Sequence, residues 1–480
     1  MLESLIIGAA LLIPLAAGLT AAWHALLYKR DSRAAFGWIS VSLLFPLVGA
    51  LLYYLLGVNR VESRARYFDG QKRKRRFIEF ERGAGLAEDT ESTKVQPGPP
   101  GLARAGQVIS RQELTSGNRL KVLHNGDEVY PAMLKAIEGA SDSIYLTTYI
   151  FESNAVGREF IEALGTAVKR GVDVRVMIDG LGEKYSLPRA TRLLRCAGIW
   201  VCRFNPPHLF PPSLSLNLRN HRKILVVDKT IGFTGGINIG GRHLVGAPVV
   251  KNPVADLHFA IEGPIVNHLR LIFERDWLHK TGQQLPPCEP PAEIKGDGGS
   301  DCRIITDGPD EDLDRIELVL QAAVSSAQRA ICIMTPYFLP SRQLLGCLQG
   351  AALRGVKVRI ILPARNNLPY VHWATRNMLW ELLYYDIEIY YQPPPFVHSK
   401  LLLIDEGYAL VGSANIDPRS LRLNYELGME IYDDKTTLEL QDHFQQTLTQ
   451  SRRVTLDEVD SRSLAQRTRD ALCWLFSPYL

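Results

Sequence analysis

The chain has 480 residues, 46% of them hydrophobic and 22% charged, with a formal net charge of +4. That length accommodates two or three domains with substantial cores, and the composition places the bulk among globular proteins. So small a positive excess argues against a dedicated nucleic-acid coat, and no nucleic-acid partner is expected.

Residues 5–27 are almost entirely apolar, and a second apolar run covers 34–58 after a short polar loop. Each run has about the length a membrane-spanning helix needs. Trp23, Trp38, Tyr53 and Tyr54 lie near the ends, where interfacial aromatics anchor. A cleaved signal peptide is disfavoured, because no basic stretch precedes the first run and a second follows at once. His24 reads as an interfacial residue. An N-terminal two-helix transmembrane hairpin is therefore expected over 1–60. Lys29, Arg30 and Arg33 occupy the loop, whereas Arg60, Arg64, Arg66 and the run from Lys72 to Arg76 follow the second segment. The larger cluster marks the downstream side as cytoplasmic. It also suits anionic phospholipid headgroups, at about 1 kcal/mol per charge near the surface. The Gly-, Pro- and Ser-rich text of 83–107 reads as a flexible linker, so that 61–107 is a basic juxtamembrane segment and linker.

Beyond the linker the chain repeats itself. A helix beginning near Pro131 precedes a strand over 143–151, and a second helix leads into Arg170-Gly171-Val172 and a strand to Ile178. The second half has a helix over 318–327, a strand over 330–338, and Arg354-Gly355-Val356 opening a strand to Leu362. Helices alternating with apolar strands predict an α/β fold. Two duplicated domains are expected, 108–295 and 296–480, with mixed, mostly parallel sheets flanked by helices. The first half carries an additional Pro/Leu-rich stretch over 205–216, which suits a lipid-tail entrance or an ordinary packed loop; His208 within it reads as structural. The apolar tail over 471–480 suits the bilayer and internal packing equally.

Each half carries the same signature. His221, Lys223 and Asp228 recur as His398, Lys400 and Asp405, and both copies run into a Gly/Ser-Asn turn at 235–238 and 412–415. Two copies in one local context imply one active site built from two half-sites. On a strand, residues two apart face the same side, so each His and Lys point together. Imidazole serves as nucleophile, acid or base near neutral pH, and two of them divide those tasks. Lys223 and Lys400 suit the clamping of a phosphate, with Asn238 and Asn415 as further donors. Asp228 and Asp405 end their strands as structural supports. A reacting His needs a partner on its other nitrogen. Asp256 opens an apolar strand downstream of His221, and Glu426 does so downstream of His398, each placed to run beside the motif strand of its own half. The seven cysteines are odd in number and lack a C-x-x-C pair, so no disulfide framework is suggested. Fixed cations supply the electrostatic work, and neither metal nor cofactor is expected.

These motifs resemble the phospholipase D superfamily over about residues 108–480, and with the N-terminal hairpin they resemble its bacterial cardiolipin synthases. The resemblance implies a phosphatidyltransferase of the bacterial cytoplasmic membrane. One His would attack phosphatidylglycerol, expel glycerol and form a phosphatidyl-histidine that a second phosphatidylglycerol resolves to cardiolipin. It further implies His221 as nucleophile and His398 as acid/base, although the residues themselves leave the reverse assignment open. A phospholipase D-type hydrolase and an inactive membrane scaffold are the competing readings. One departure is visible: Gly240 stands where the second copy has Asp417, while Arg242 and Arg419 still correspond. Oligomeric state leaves no mark in the sequence, and a homo-oligomer is compatible with it.

Overall fold

The computed structural model describes residues 2–29, 32–57, 98–207, 217–248, 250, 252–286, 299–309 and 312–477, with backbone alone for 2–11 and 55–56. The basic run at 60–76, the linker up to 97, residues 208–216 with His208, the boundary stretch 287–298 and the tail 478–480 lie outside the described residues. The chain forms two units, Met1–Phe80 and Glu81–Leu480.

In the first unit the first apolar run is one helix, α1 (Leu2–Tyr28). The second run is broken into α2 (Ser32–Leu44), α3 (Pro46–Leu52) and a π-turn over Tyr53–Gly57. The break falls at Phe45, at φ −129° and ψ 72°, because Pro46 disfavours helical backbone in the residue before it. Close packing uses glycines: a Cβ on Gly18 would meet Pro46 and the Ser42 carbonyl. His24 Nδ1 lies 2.8 Å from the Tyr53 hydroxyl, which ties α1 to the end of the second run. The two-helix hairpin is thus corrected to three helices, and among the described residues no helix is long and apolar enough to cross a membrane.

Among the described residues, the second unit opens with α4 (Leu102–Ser110). Its first half continues as β1 (Thr115–His124), α5 (Asn125–Gly139), β2 (Ser143–Thr148), α6 (Ala155–Lys169), β3 (Asp173–Asp179), α7 (Ala190–Cys196) and β4 (Trp200–Phe204). It closes with β5 (Ile224–Val227), β6 (Ile231–Gly235), β7 (Val254–Ala255), β8 (Leu257–Glu262) and α8 (Ile265–Thr281). The second half begins with β9 (Ser300–Asp307), α9 (Arg315–Ser326), β10 (Ala330–Met334), α10 (Arg342–Leu353), β11 (Lys357–Pro363), α11 (Pro369–Met378) and α12 (Trp380–Leu383). Next come β12 (Glu388–Gln392), β13 (Phe396–Val397), β14 (Leu401–Ile404), β15 (Tyr408–Gly412), α13 (Pro418–Arg422), β16 (Glu426–Tyr432) and α14 (Asp434–Thr449). It finishes with β17 (Arg452–Val454), α15 (Leu456–Asp460) and α16 (Leu464–Leu475).

The linker ends earlier than its composition suggested. Leu102, Gly106 and Ser110 form a buried stripe on α4, and Arg303 donates to the carbonyls of Ala103 and Gln112. One 15-stranded sheet runs β17-β12-β11-β10-β14-β15-β16-β9-β1-β8-β6-β5-β2-β3-β4. The halves meet at β1 and β9 and mirror one another outward from there. Only the β2–β3–β4 and β10–β11–β12 pairings in this sheet are parallel, which corrects the expectation of a mostly parallel sheet. Tight connections explain it: the turns at 228–230 and 405–407 are too short for anything but antiparallel hairpins.

The motif strands are buried on both faces, so they read as unbroken apolar runs. Leu225 and Val227 enter a core formed by the first half, while Ile224 and Val226 join Leu401 and Leu403 in a core shared by both halves. The C-terminal helix α16 is held by the buried Asp470, which ion-pairs with Arg376, Arg462 and Arg469. Cys473 and Trp474 pack inward, whereas Leu472, Leu475 and Phe476 remain exposed.

The signature aspartates end their strands and cap the neighbouring ones. Asp228 accepts from the amides of Ser141, Asp142 and Ser143 at 2.8–2.9 Å. Asp405 accepts from those of Gln328, Arg329 and Ala330 at 2.7–2.8 Å. Replacing Asp228 by Ala should destabilise the second unit by about 2 kcal/mol, as charge-assisted hydrogen bonds to backbone amides are lost. Denaturant unfolding measures this, and kcat per folded molecule should stay within about twofold because the carboxylate faces away from the histidines.

Candidate active site

Two extended segments bring the histidines together by pairing across the halves. β13 lies parallel to β7, with Val397 opposite Ala255, and the His398 amide donates to the Ala255 carbonyl at 2.8 Å. In the pseudo-symmetric counterpart Asn220 bridges Tyr425, and the His221 amide donates to the Tyr425 carbonyl at 2.9 Å. The carboxylates are consequently exchanged. Asp256 Oδ2 lies 2.7 Å from His398 Nδ1, and Glu426 Oε1 lies 3.0 Å from His221 Nδ1. Both acids partner a histidine, but each partners the histidine of the other half. The expectation that each would serve its own half is corrected, because the strand preceding each His pairs with the opposite carboxylate segment.

The two pairs differ in geometry. His398 and Asp256 make a hydrogen bond, which puts the proton on Nδ1 and leaves Nε2 with its lone pair. Glu426 Oε1 has the distance of an ion pair to His221 without hydrogen-bond alignment, and Asn424 Nδ2 sits 3.3 Å from the same ring nitrogen. Arg222 locks this side. It forms two 2.7 Å bonds to Asp276 and donates to the carbonyls of Glu426 and Asp307.

Both signature lysines are buried beside the rings. Lys223 Nζ donates to the His221 carbonyl at 2.6 Å. Lys400 Nζ donates to the His398 carbonyl and lies 2.7 Å from His398 Nδ1. An ammonium has only donors, and that Nδ1 already points its proton at Asp256, so this second approach is a cation pressed against the ring rather than another hydrogen bond. Burial lowers the pKa of Lys400 to about 7, against the pull of Asp256 and with the push of Lys223. Lys223 is lowered too, by burial opposed by Glu426 and Asp256. Burial and the charges of Lys400, Lys223 and His221 hold His398 well below its ordinary value, hence neutral. Burial raises the Asp256 carboxyl despite Lys400.

The turns after the signatures show why the copies diverge. Gly235 and Gly412 have φ of +152° and +154°, where a side chain would collide with the neighbouring strand. A Cβ on Gly236 would strike the Asp256 carboxylate, whereas Ser413 donates from Oγ to Glu426 Oε2 at 2.5 Å. Gly240 likewise makes room for Glu152, which pairs with Arg242 at 2.6 Å. Glu152 thus supplies the first half with a carboxylate near this turn, while Asp417 in the second caps α13 through the Ser420 amide at 2.7 Å. Asn238 uses Oδ1 to accept from the Ile150 amide at 3.1 Å. Asn415 donates through Nδ2 to Ser420 Oγ at 3.2 Å, so its amide already serves the turn.

Several contributors were not singled out in the sequence: Arg222, Asn424, Glu152 and Asp179. Asp179, at the end of β3, accepts from the Asn220 amide at 3.0 Å and pairs with Arg219, and so aligns the segment leading to His221. No cluster of His, Cys, Asp and Glu among the described residues could hold a metal ion.

With this geometry in place, comparison with known proteins is direct. Residues 133–277 and 320–448 match the family described as cardiolipin synthase, PLD-like domain, and residues 16–57 match the phospholipase D-nuclease N-terminal family. The chain is 33% identical to the major cardiolipin synthase ClsA of Bacillus subtilis (strain 168), over 94% of this chain and 95% of that protein. It is 31% identical to a cardiolipin synthase of Halalkalibacterium halodurans, over 95% and 90% of the two chains. The phosphatidylserine synthase of Haemophilus influenzae Rd KW20 shares the fold, with a TM-score of 0.59 and 16% identity, over 79% of this chain and all of that one. The two matching half-sites are those of a phospholipase D-type enzyme, and the chain belongs to the cardiolipin synthase family of that superfamily.

Two outcomes test the site. Asp256→Asn and Glu426→Gln should each lower kcat by about 10²–10⁴, as when an orienting carboxylate is neutralised. Circular dichroism should show the fold retained, and a fall of less than about threefold in both would remove the orienting role. Lys400 carries its charge below a pH of about 7 and loses it above. The KM for an anionic phospholipid should therefore rise as pH increases through that value. Lys400→Arg, cationic throughout, should lose that dependence whatever its absolute rate.

Proposed function

We propose that the protein is a membrane phosphatidyltransferase that condenses two phosphatidylglycerol molecules into cardiolipin and glycerol through a phosphatidyl-histidine. The carrying observation is the pair of His-x-Lys units, each buttressed by a carboxylate from the opposite half. In the first step a histidine Nε2 bonds to phosphorus, the bond to the glycerol oxygen breaks, and the other histidine supplies the departing alcohol with its proton. In the second step a glycerol hydroxyl of another phosphatidylglycerol bonds to phosphorus, the P–N bond breaks, and the second histidine takes the proton. Lys223 and Lys400 face the non-bridging oxygens, with Asn238 and Asn415 as further candidates. Family resemblance assigns the nucleophile to His221. The reverse assignment has its own support: His398 is neutral, with Asp256 on Nδ1 and Nε2 unprotonated.

The N-terminal match and the apolar runs support anchoring of the N-terminal helices in the bacterial cytoplasmic membrane. The basic run at 72–76 favours a cytoplasmic location for the catalytic unit. Within that unit we assign 108–295 and 296–480 as the duplicated domains, preceded by α4.

The test uses purified, detergent-solubilised protein and phosphatidylglycerol labelled in its free glycerol. Wild type should release labelled glycerol and form cardiolipin, and His221→Ala and His398→Ala should do neither above about 10⁻³ of the wild-type rate. Acid-quenched protein should yield a phosphorylated peptide holding the nucleophile, either His221 or His398. Phosphatidic acid as sole product would make the protein a hydrolase. Absence of turnover with several donor lipids would leave the scaffold reading.

A further inference from the structure

We propose that Tyr149 is a specificity-determining residue that favours a lipid alcohol over water as acceptor, by covering the His221 side of the site. The inference rests on the phosphatidyltransferase reading above. Tyr149 directly follows β2, and its ring meets the His221 imidazole edge-to-face, with centroids 4.3 Å apart and planes at 61°. The Tyr185 ring lies against that of Tyr149, with centroids 6.3 Å apart and planes at 66°.

The cover is built into the fold. Tyr185 ends a short turn, Gly182–Tyr185, that is pressed onto Tyr149 so closely that a Cβ on Gly182 would strike the Tyr149 carbonyl. Asp179 anchors the turn by accepting from the Leu181 amide at 2.8 Å, and the buried Glu183 accepts from Thr191 Oγ1 at 2.7 Å. The Arg242 guanidinium lies 5.7 Å from the Tyr185 ring centroid.

The duplication exposes the asymmetry. Thr148 Oγ1 donates to the Ile150 carbonyl, and Thr335 Oγ1 donates to the Tyr337 carbonyl, both at 3.0 Å, so the two loops superpose in register. At the place of Tyr149 the second loop has Pro336. His398 has Phe396 as its ring neighbour, at the longer distance of 6.1 Å. The two histidine side chains are about equally exposed, at 20% and 19%, but the closer aromatic ring lies on His221.

That difference has a chemical use. Resolution of the phosphatidyl-histidine forms a P–O bond, breaks the P–N bond and passes the acceptor proton to the second histidine. Water completes the same balance and gives phosphatidic acid. An aromatic face against the imidazole offers water no strong hydrogen-bond partner, while it packs well against the glycerol carbons of a lipid acceptor. This selection applies where His221 is the base for the acceptor, since in-line displacement brings the acceptor to phosphorus opposite the leaving histidine.

The readout is the ratio of phosphatidic acid to cardiolipin made by the full-length protein in phosphatidylglycerol–detergent micelles. A ratio does not depend on the fraction of protein folded. Tyr149→Ala should raise it by about tenfold or more, and Tyr149→Phe should hold it within about twofold of wild type. If Tyr149→Ala makes neither product, Tyr185→Ala decides with the same expected sign, since Tyr185 is 52% exposed and tolerates truncation. An unchanged ratio in the variant that decides, beside normal wild-type synthesis, overturns the inference alone. A Phe variant that shifts as far as the Ala variant also overturns it, moving the effect from the ring to the hydroxyl. Wild-type protein that makes no cardiolipin overturns the underlying reading and this inference with it.

Discussion

Asp256 and Glu426 are almost wholly enclosed, and each is a carboxylate from one half of the molecule lying beside a histidine of the other. A buried charge is strongly destabilising unless it is paired and hydrogen-bonded. Apart from the other half, Asp256 would keep the Leu257 amide but lose His398. Arg222 imposes the same dependence from the first half, since it pairs with Asp276 while holding the Glu426 and Asp307 carbonyls. The shared core containing Ile224, Val226, Leu401 and Leu403 makes separation costlier still. The active site and the junction between halves are therefore one structure, and neither forms without the other.

Duplication supplied two equivalent half-sites, and later differences adapted each to its partner. Gly236 leaves space for Asp256, whereas Ser413 donates to Glu426. Gly240 makes room for Glu152, and its counterpart Asp417 is the cap of a helix. Tyr149 faces His221 where the second loop has a proline. Burial with several cations in one place keeps His398 neutral and draws Lys400 toward a neutral amine. An anionic phosphate relieves that repulsion, so the electrostatics that strain the protein favour its ligand.

Much of this was legible in the residues. His221, Lys223, His398 and Lys400 do converge, because a duplicated signature in matching strand context leaves little choice. Asp228 and Asp405 end their strands as expected, and their acceptance of three amides each follows from the exposed starts of β2 and β10. The two carboxylates beside the histidines were also named, from their position at strand starts, but each with the histidine of its own half. The sheet was misjudged because apolar runs reveal burial on two faces but not strand direction. The second apolar run was misjudged because hydropathy averages over Pro46. The start of α4 was missed because its buried stripe includes a glycine, which carries no hydropathy signal.

By itself, then, the sequence determined the duplicated α/β plan and the two signatures with the residues proposed to do chemistry, since periodicity and spacing are local properties of the chain. Only the tertiary structure decided which carboxylate serves which histidine, that Arg222 joins the halves, and that Tyr149 lies on His221. Those facts depend on contacts between segments far apart in the chain. Asp256 and His398 are separated by 142 positions. No window of sequence spans that distance, and the order of strands in the sheet brings the two together.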